Sequence, residues 1–154
     1  SEYVDIAKHK ERKAEKHAPF TVAEISKIWG QTDRNDYISV ILMLLYSGVR
    51  IGELLDLKKE NVHLDERYFE VIQSKTEAGI RPVPIAEKTA PFFEKWMQRD
   101  SEYLIPNNKN GHMVYSTFIR CYWEPLMKEL EMEHLPHDTR HTTVSMLAKQ
   151  IRTF

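Results

Sequence analysis

The side chains with the clearest capacity for chemistry are basic, and they lie in three widely separated stretches of the chain. The first is Arg50, which follows Gly48, a break directly after an apolar stretch that predicts a buried helix. A glycine break between two helices often exposes a side chain in a cleft, and a guanidinium there has the planar fork of donors that fits a phosphate. The same spacing also allows a structural ion pair between Arg50 and Glu53.

The second stretch holds Lys75, within residues 74–79, which we interpret as the tip of a β-hairpin. Gly79 favours a turn because glycine adopts positive φ without a steric penalty. A hairpin can carry its tip into a groove of DNA, where an ammonium group can protonate a leaving oxygen. The alternative is an ordinary exposed lysine on a turn, and the local pattern leaves both open.

The third stretch runs from His137 to His141. Pro136 and Asp138 are typical of a helix start, with Asp138 as the N-cap, which places His137 and Arg140 on one face together with His141. Free N–H groups and partial positive charge at a helix N-terminus favour an anion. A histidine and an arginine that meet there suit a phosphate, and a helical turn with polar surface residues is the alternative.

Two other kinds of site are weaker interpretations of the same residues. His137 and His141 have the spacing of two zinc ligands on a helix, and His134 precedes them. The glutamate of the H-E-x-x-H pattern is replaced by Asp138, however, and Arg140 would place a fixed cation beside the metal. We therefore expect no metal and no other cofactor.

The single cysteine, Cys121, excludes an internal disulfide and favours a reducing compartment. Its neighbours Ile119, Tyr122 and Trp123 predict that it is a structural residue in the core face of a helix, not a nucleophile. The longest apolar run, residues 40–45, is too short to span a membrane, so we expect a cytoplasmic protein without a membrane partner.

Composition is that of an ordinary globular domain, with 42% hydrophobic and 29% charged residues among 154. The net charge of −1 argues mildly against a nucleic-acid binder, but phosphate binding needs only a local basic surface. One such local excess lies within residues 8–16, in a polar segment that we interpret as a linker or arm over residues 1–19.

The pattern of apolar residues predicts a mainly α fold with a small three-stranded antiparallel sheet, an α+β class. Thr21 and Glu24 form a capping-box pattern at the first helix, Ser116 is a candidate N-cap, and Pro125 predicts a kink. The predicted helices cover residues 22–29, 36–47, 51–57, 90–99, 116–130 and a segment from 138, and the predicted strands cover 62–64, 68–72 and 80–85.

Taken together and in this order, the three basic stretches resemble the catalytic domain of tyrosine recombinases, the phage integrase family. The resemblance covers residues 20–150, nearly the whole chain. It rests on three motifs. Leu44–Leu57 resembles the first-arginine motif, Ser74–Thr76 with Arg81–Ile85 resembles the hairpin lysine and the strand that follows it, and Leu135–Thr142 resembles the H-x-x-R-H box.

The resemblance implies a role for each matching residue. Arg50 and Arg140 would grip the scissile phosphate and neutralise its developing charge. Lys75 would protonate the departing 5′ oxygen, and His137 would transfer protons as a general acid and base. Glu53 and His141 would lie beside these catalytic groups and support them.

The implied function is site-specific recombination of double-stranded DNA by a homotetramer, through a 3′-phosphotyrosine and without metal or cofactor. The family pattern continues beyond the box to a tyrosine nucleophile, yet no tyrosine follows Arg140 here. We therefore expect residues 20–154 to be a catalytic domain that lacks the nucleophile segment and does not cleave DNA as given. The alternative is a DNA-binding remnant of an integrase without chemistry.

Overall fold

The computed structural model describes residues 18–72 and 79–143. The basic stretch in residues 8–16 and the predicted hairpin tip with Lys75 lie outside the described residues. In chain order the helices are α1 (Val22–Trp29), α2 (Ile38–Ser47), α3 (Ile51–Leu55), α4 (Ala90–Met97), α5 (Tyr115–Phe118), α6 (Glu124–Leu130) and α7 (138–143), and the strands are β1 (Val62–His63), β2 (Tyr68–Ile72) and β3 (Ile80–Pro84). The predicted mainly α fold with a small sheet is confirmed.

Helix α2 forms the centre of the core, because its apolar residues surround it on every side. Residues 38–45 are all buried, as expected for a helix that is hydrophobic all round. The helix begins at Ile38 and not at the predicted Asp36. The Asp36 carboxylate instead pairs with Lys95, at 2.8 Å, and with Arg99, at 2.7 Å, and so ties the start of α2 to α4 and the turn after it.

The three strands pair antiparallel in the order β1-β2-β3, as predicted. Phe69 lies opposite both Val62 and Val83, and all three side chains are buried against the helices. Strand β3 is at the edge of the sheet, where its two prolines cost no central hydrogen bonds. Ile72 pairs with Ile80 at the end of the sheet next to residues 73–78, which include Lys75 and lie outside the described residues.

The segment from α5 to α6 is not the single kinked helix that the sequence predicts. A π-helical turn, Ile119–Trp123, separates the two helices, and Pro125 lies in the first turn of α6. Ser116 is not the N-cap, because α5 begins one residue earlier, at Tyr115. The wider π turn changes which side chains face the core. The prediction of a buried Cys121 is therefore wrong, and that thiol is exposed.

Gly48 ends α2 in a left-handed conformation, with φ of 74°. A Cβ added at this position would lie 3.1 Å from Cγ2 of Thr143 on α7. No described helix is long and apolar enough to cross a membrane.

We expect Gly48→Ala to lower the free energy of unfolding by about 1–2 kcal/mol, because an L-residue in this conformation is strained and its methyl group crowds Thr143. Urea denaturation followed by circular dichroism measures the change. Gly52→Ala is the matched control, since Gly52 lies within α3 and an added Cβ meets no atom within 4 Å. Equal effects of the two substitutions would contradict this account of the α2–α7 contact.

Candidate functional site

Arg50 precedes α3 as its N-cap residue, with extended backbone and an exposed side chain. The carboxylate of Glu53 accepts a hydrogen bond from the backbone N–H of Arg50 at 2.9 Å. It also forms an ion pair with the guanidinium of Arg81 at 3.2 Å. Among the described residues, the guanidinium of Arg50 has no carboxylate partner. Glu53 thus holds the backbone of Arg50 and leaves its cationic group available to an anion.

A cleft of about 420 Å³ lies beside Arg50, between α3 and the sheet. Strand β2 contributes Val71 and Ile72 to its wall, so the end of β2 that precedes Lys75 in the sequence borders the same space as Arg50. The remaining lining residues come from α3, the segment after it and β2: Glu53, Asp56, Leu57, Asn61 and Glu70.

Carboxylates in this cleft would repel a phosphate if they were uncompensated, but each has a basic partner. Glu53 pairs with Arg81, as described above. The other two pairs join Asp56 to His112, at 2.6 Å, and Glu70 to His63, at 2.7 Å. The guanidinium of Arg81 reduces the negative potential in the cleft, and the two histidines hold the other carboxylates in hydrogen bonds.

Arg140 and His137 lie at the start of α7. His137 is in the turn before the helix, and its carbonyl accepts the N–H of Arg140 at 3.1 Å. The rings of His137 and His141 are in edge-on contact, with centroids 5.1 Å apart. In the part of the chain that the structure describes, no ion pair involves the partly exposed guanidinium of Arg140. Arg140, like Arg50, is therefore a cation without an acidic partner there.

The contact between α7 and the end of α2 brings these two motifs to one junction. The hydroxyl of Thr143 donates to the carbonyl of Leu45 at 2.5 Å, and its methyl group lies against Gly48. Arg140 precedes Thr143 by three residues and shares its side of the helix, while Arg50 follows Gly48 by two residues. Both arginines therefore stand within about one helical turn of the same packed junction.

Two functional candidates were missed by the sequence reasoning. Arg81 was noted only as the start of a strand, although its position opposite Val71 points it to the α3 side, where it meets Glu53. His134 was considered only as a third zinc ligand. Its ring instead lies between the carboxylates of Glu24 and Asp138.

Asp138 does not cap α7 in the predicted way. It is already the first helical residue, and its carboxylate bonds backward to the N–H of Leu135 and to the ring of His134. Within residues 18–72 and 79–143, no three metal-ligating side chains converge on one point.

Residues 19–151 match the model of the phage integrase family. The chain belongs to that family. Among curated relatives it is 24% identical over 135 residues to a tyrosine recombinase of Thermosipho africanus, covering 84% of this chain and 47% of the relative. It is 30% identical over 118 residues to tyrosine recombinase XerA of Thermococcus kodakarensis, covering 72% of this chain and 41% of the relative. This phage integrase family chain thus spans less than half the length of these relatives.

Solved structures of family members share the fold. The crystal structure of XerA recombinase matches with a TM-score of 0.75 and 25% identity over 86% of this chain and 50% of that one. The Tn1549 transposon integrase, solved with circular intermediate DNA, matches with a TM-score of 0.73 and 19% identity, over 87% of this chain and 55% of that one. The λ integrase tetramer on a Holliday junction matches with a TM-score of 0.66 and 19% identity, over 87% of this chain and 43% of that one. The predicted tyrosine recombinase catalytic-domain fold is confirmed.

Proposed function

We propose that this chain binds one phosphodiester of double-stranded DNA between Arg50 and Arg140, as the phosphate clamp of a site-specific recombinase. The observation that carries the proposal is a pair of guanidiniums near the α2–α7 junction, drawn from two distant parts of the chain, neither of which has an acidic partner within residues 18–72 and 79–143. Two guanidiniums can neutralise a phosphate and the charge that develops on it, which is the task a metal performs in other enzymes.

The remaining roles follow from the chemistry of strand transfer. His137, one turn from Arg140, transfers protons at the reacting oxygens, with His141 in contact with its ring. Lys75, which follows β2 in the sequence, protonates the departing 5′ oxygen. A covalent 3′-phosphotyrosine conserves the energy of each broken bond, so neither metal nor ATP is consumed. Residues 141–154 contain no tyrosine, so the roles carried by the residues named here are the clamp and the proton transfers.

The relatives support double-stranded DNA as the partner, since the Tn1549 and λ integrases were solved on DNA. By the same analogy, we propose assembly as a tetramer on DNA, with residues 20–154 as the catalytic part and residues 1–19 as the link to a preceding domain. The alternative role, a DNA-binding remnant without chemistry, would use the same clamp.

We expect the chain to bind a fluorescent DNA duplex with an affinity that falls steeply with salt, because each gripped phosphate releases counterions. Fluorescence anisotropy measures this dependence between about 50 and 200 mM salt, where six or more phosphate contacts correspond to an affinity loss of about 10³-fold or more. No binding at the lowest salt would contradict the proposed function. A covalent protein–DNA adduct on a nicked suicide substrate would favour the full enzyme over the remnant.

A further inference from the structure

A buried histidine joins two carboxylates directly before the H-x-x-R-H box. The side chain of His134 is 6% exposed, and that of Asp138 is fully buried. Nδ1 of His134 lies 3.0 Å from Asp138, and Nε2 lies 3.0 Å from Glu24. A ring nitrogen that carries a proton donates to the carboxylate it faces, so the single ring bridges two acidic groups from distant parts of the chain.

The turn before α7, which begins the H-x-x-R-H box, is fixed at both ends by this cluster. The ring of His134 stacks on Phe20 with centroids 3.9 Å apart, and the backbone carbonyl of His134 accepts a hydrogen bond from the indole N–H of Trp123 at 2.8 Å. Asp138 closes the turn by accepting the N–H of Leu135 at 3.1 Å. His137 lies inside this turn, and Arg140 lies in the helix that it starts.

Glu24 connects the cluster to α1. Its carboxylate also accepts the backbone N–H of Thr21 at 2.9 Å, in the capping box that starts that helix. Burial pushes the pKa of Glu24 upward, but hydrogen bonds from Thr21 and His134 outweigh it and hold that pKa below its ordinary value. Glu24 therefore carries a negative charge at neutral pH, and its contact with His134 joins α1 to the turn before α7.

We propose that His134, held between Glu24 and Asp138, is a positioning residue that aims His137 and Arg140 at the DNA phosphate. The inference rests on the proposed function. A buried carboxylate such as Asp138 is costly unless a cation and hydrogen bonds satisfy it. Without His134, this buried carboxylate loses a donor and the turn loses its link to Glu24 on α1, so the turn that carries His137 changes shape.

The test compares His134→Phe with wild type in a duplex titration of the whole chain, at a temperature where both are shown to be folded. Phenylalanine keeps the stacking on Phe20 and removes both donors. We expect about tenfold weaker binding, as for the loss of a group that orients a binding residue. In wild type we expect added DNA to shift the NMR signals of the Arg140 side chain and the His137 ring. In His134→Phe we expect these signals not to shift.

Lys95→Met is the matched control. It removes a hydrogen-bonded cation from a carboxylate far from the box, since Lys95 contacts Asp36 at 2.8 Å, and Arg99 continues to hold that carboxylate. The control thus loses a contact to a carboxylate and a positive charge elsewhere on the domain, and we expect both readouts to stay at wild-type values. His134→Gln, which keeps one donor, should give an intermediate result, and it replaces His134→Phe if that variant does not fold.

Three outcomes are decisive. Weaker binding and lost NMR shifts in the folded His134 variant, but not in the Lys95 variant, support the positioning role. Wild-type binding and wild-type shifts in the folded His134 variants would overturn it. A wild-type chain that shows no response to DNA would instead overturn the proposed function.

Discussion

Arg50→Ala and Arg140→Ala are each expected to weaken binding to duplex DNA by about tenfold to a hundredfold, the range for a lost hydrogen bond to a charged group. Neither guanidinium has an acidic partner among the described residues, so each is available to a DNA phosphate. Fluorescence anisotropy with a labelled duplex measures the affinity, and circular dichroism confirms that the variants are folded.

The salt dependence separates a shared phosphate from two independent contacts. If both arginines grip one phosphate, the double variant should reduce the slope of log affinity against log salt by about one, not by about two. Arg34→Ala is the control, because Arg34 is exposed, donates to the Gln31 side chain at 2.8 Å and makes a long ion pair with Glu129 at 3.9 Å. An equal loss of affinity on Arg34→Ala would mean that any surface charge suffices, which contradicts a specific clamp.

Trp123→Ala is expected to lower the free energy of unfolding by about 3–5 kcal/mol, the range for truncation of a large buried aromatic side chain. Trp123 is 1% exposed, ends the π-helical turn and donates to the carbonyl of His134 at 2.8 Å. The substitution therefore leaves a cavity in the core and frees the turn that precedes His137. Urea denaturation measures the change in stability.

Two further substitutions divide that effect into its parts. Trp123→Phe keeps most of the packing but removes the indole donor, so it should cost about 1–3 kcal/mol as a buried carbonyl loses its partner. Tyr115→Ala, at a side chain that is 52% exposed, should stay within about 0.5 kcal/mol of wild type. A loss below about 1 kcal/mol for Trp123→Ala would show that Trp123 does not anchor this region.

Elements with strong local signals could be predicted from the sequence. Helix α2 was evident from its apolar run and from Gly48, which ends it in the left-handed conformation that glycine adopts most easily. The sheet was evident from β-branched residues between turn signals. The π turn at Ile119–Trp123 was not predictable, because an extra residue in a helix leaves no distinct pattern of apolar spacing.

The partners of the site residues were harder to predict than the residues themselves. Arg50 and Arg140 were found from local motifs, but the ion pair between Glu53 and Arg81 depends on the packing of α3 against β3. The contact between Glu24 and His134 joins two ends of the domain. Such pairs arise from tertiary packing, which local periodicity does not encode.

The most direct test of the shared phosphate is a methylphosphonate scan of a duplex selected from a random library for binding to this chain. Each phosphate is replaced in turn by an uncharged methylphosphonate, and the affinities of wild type, Arg50→Ala and Arg140→Ala are measured. We predict one position where wild type loses affinity and where both variants become insensitive to the replacement. Insensitivity of the two variants at different phosphates would contradict the clamp.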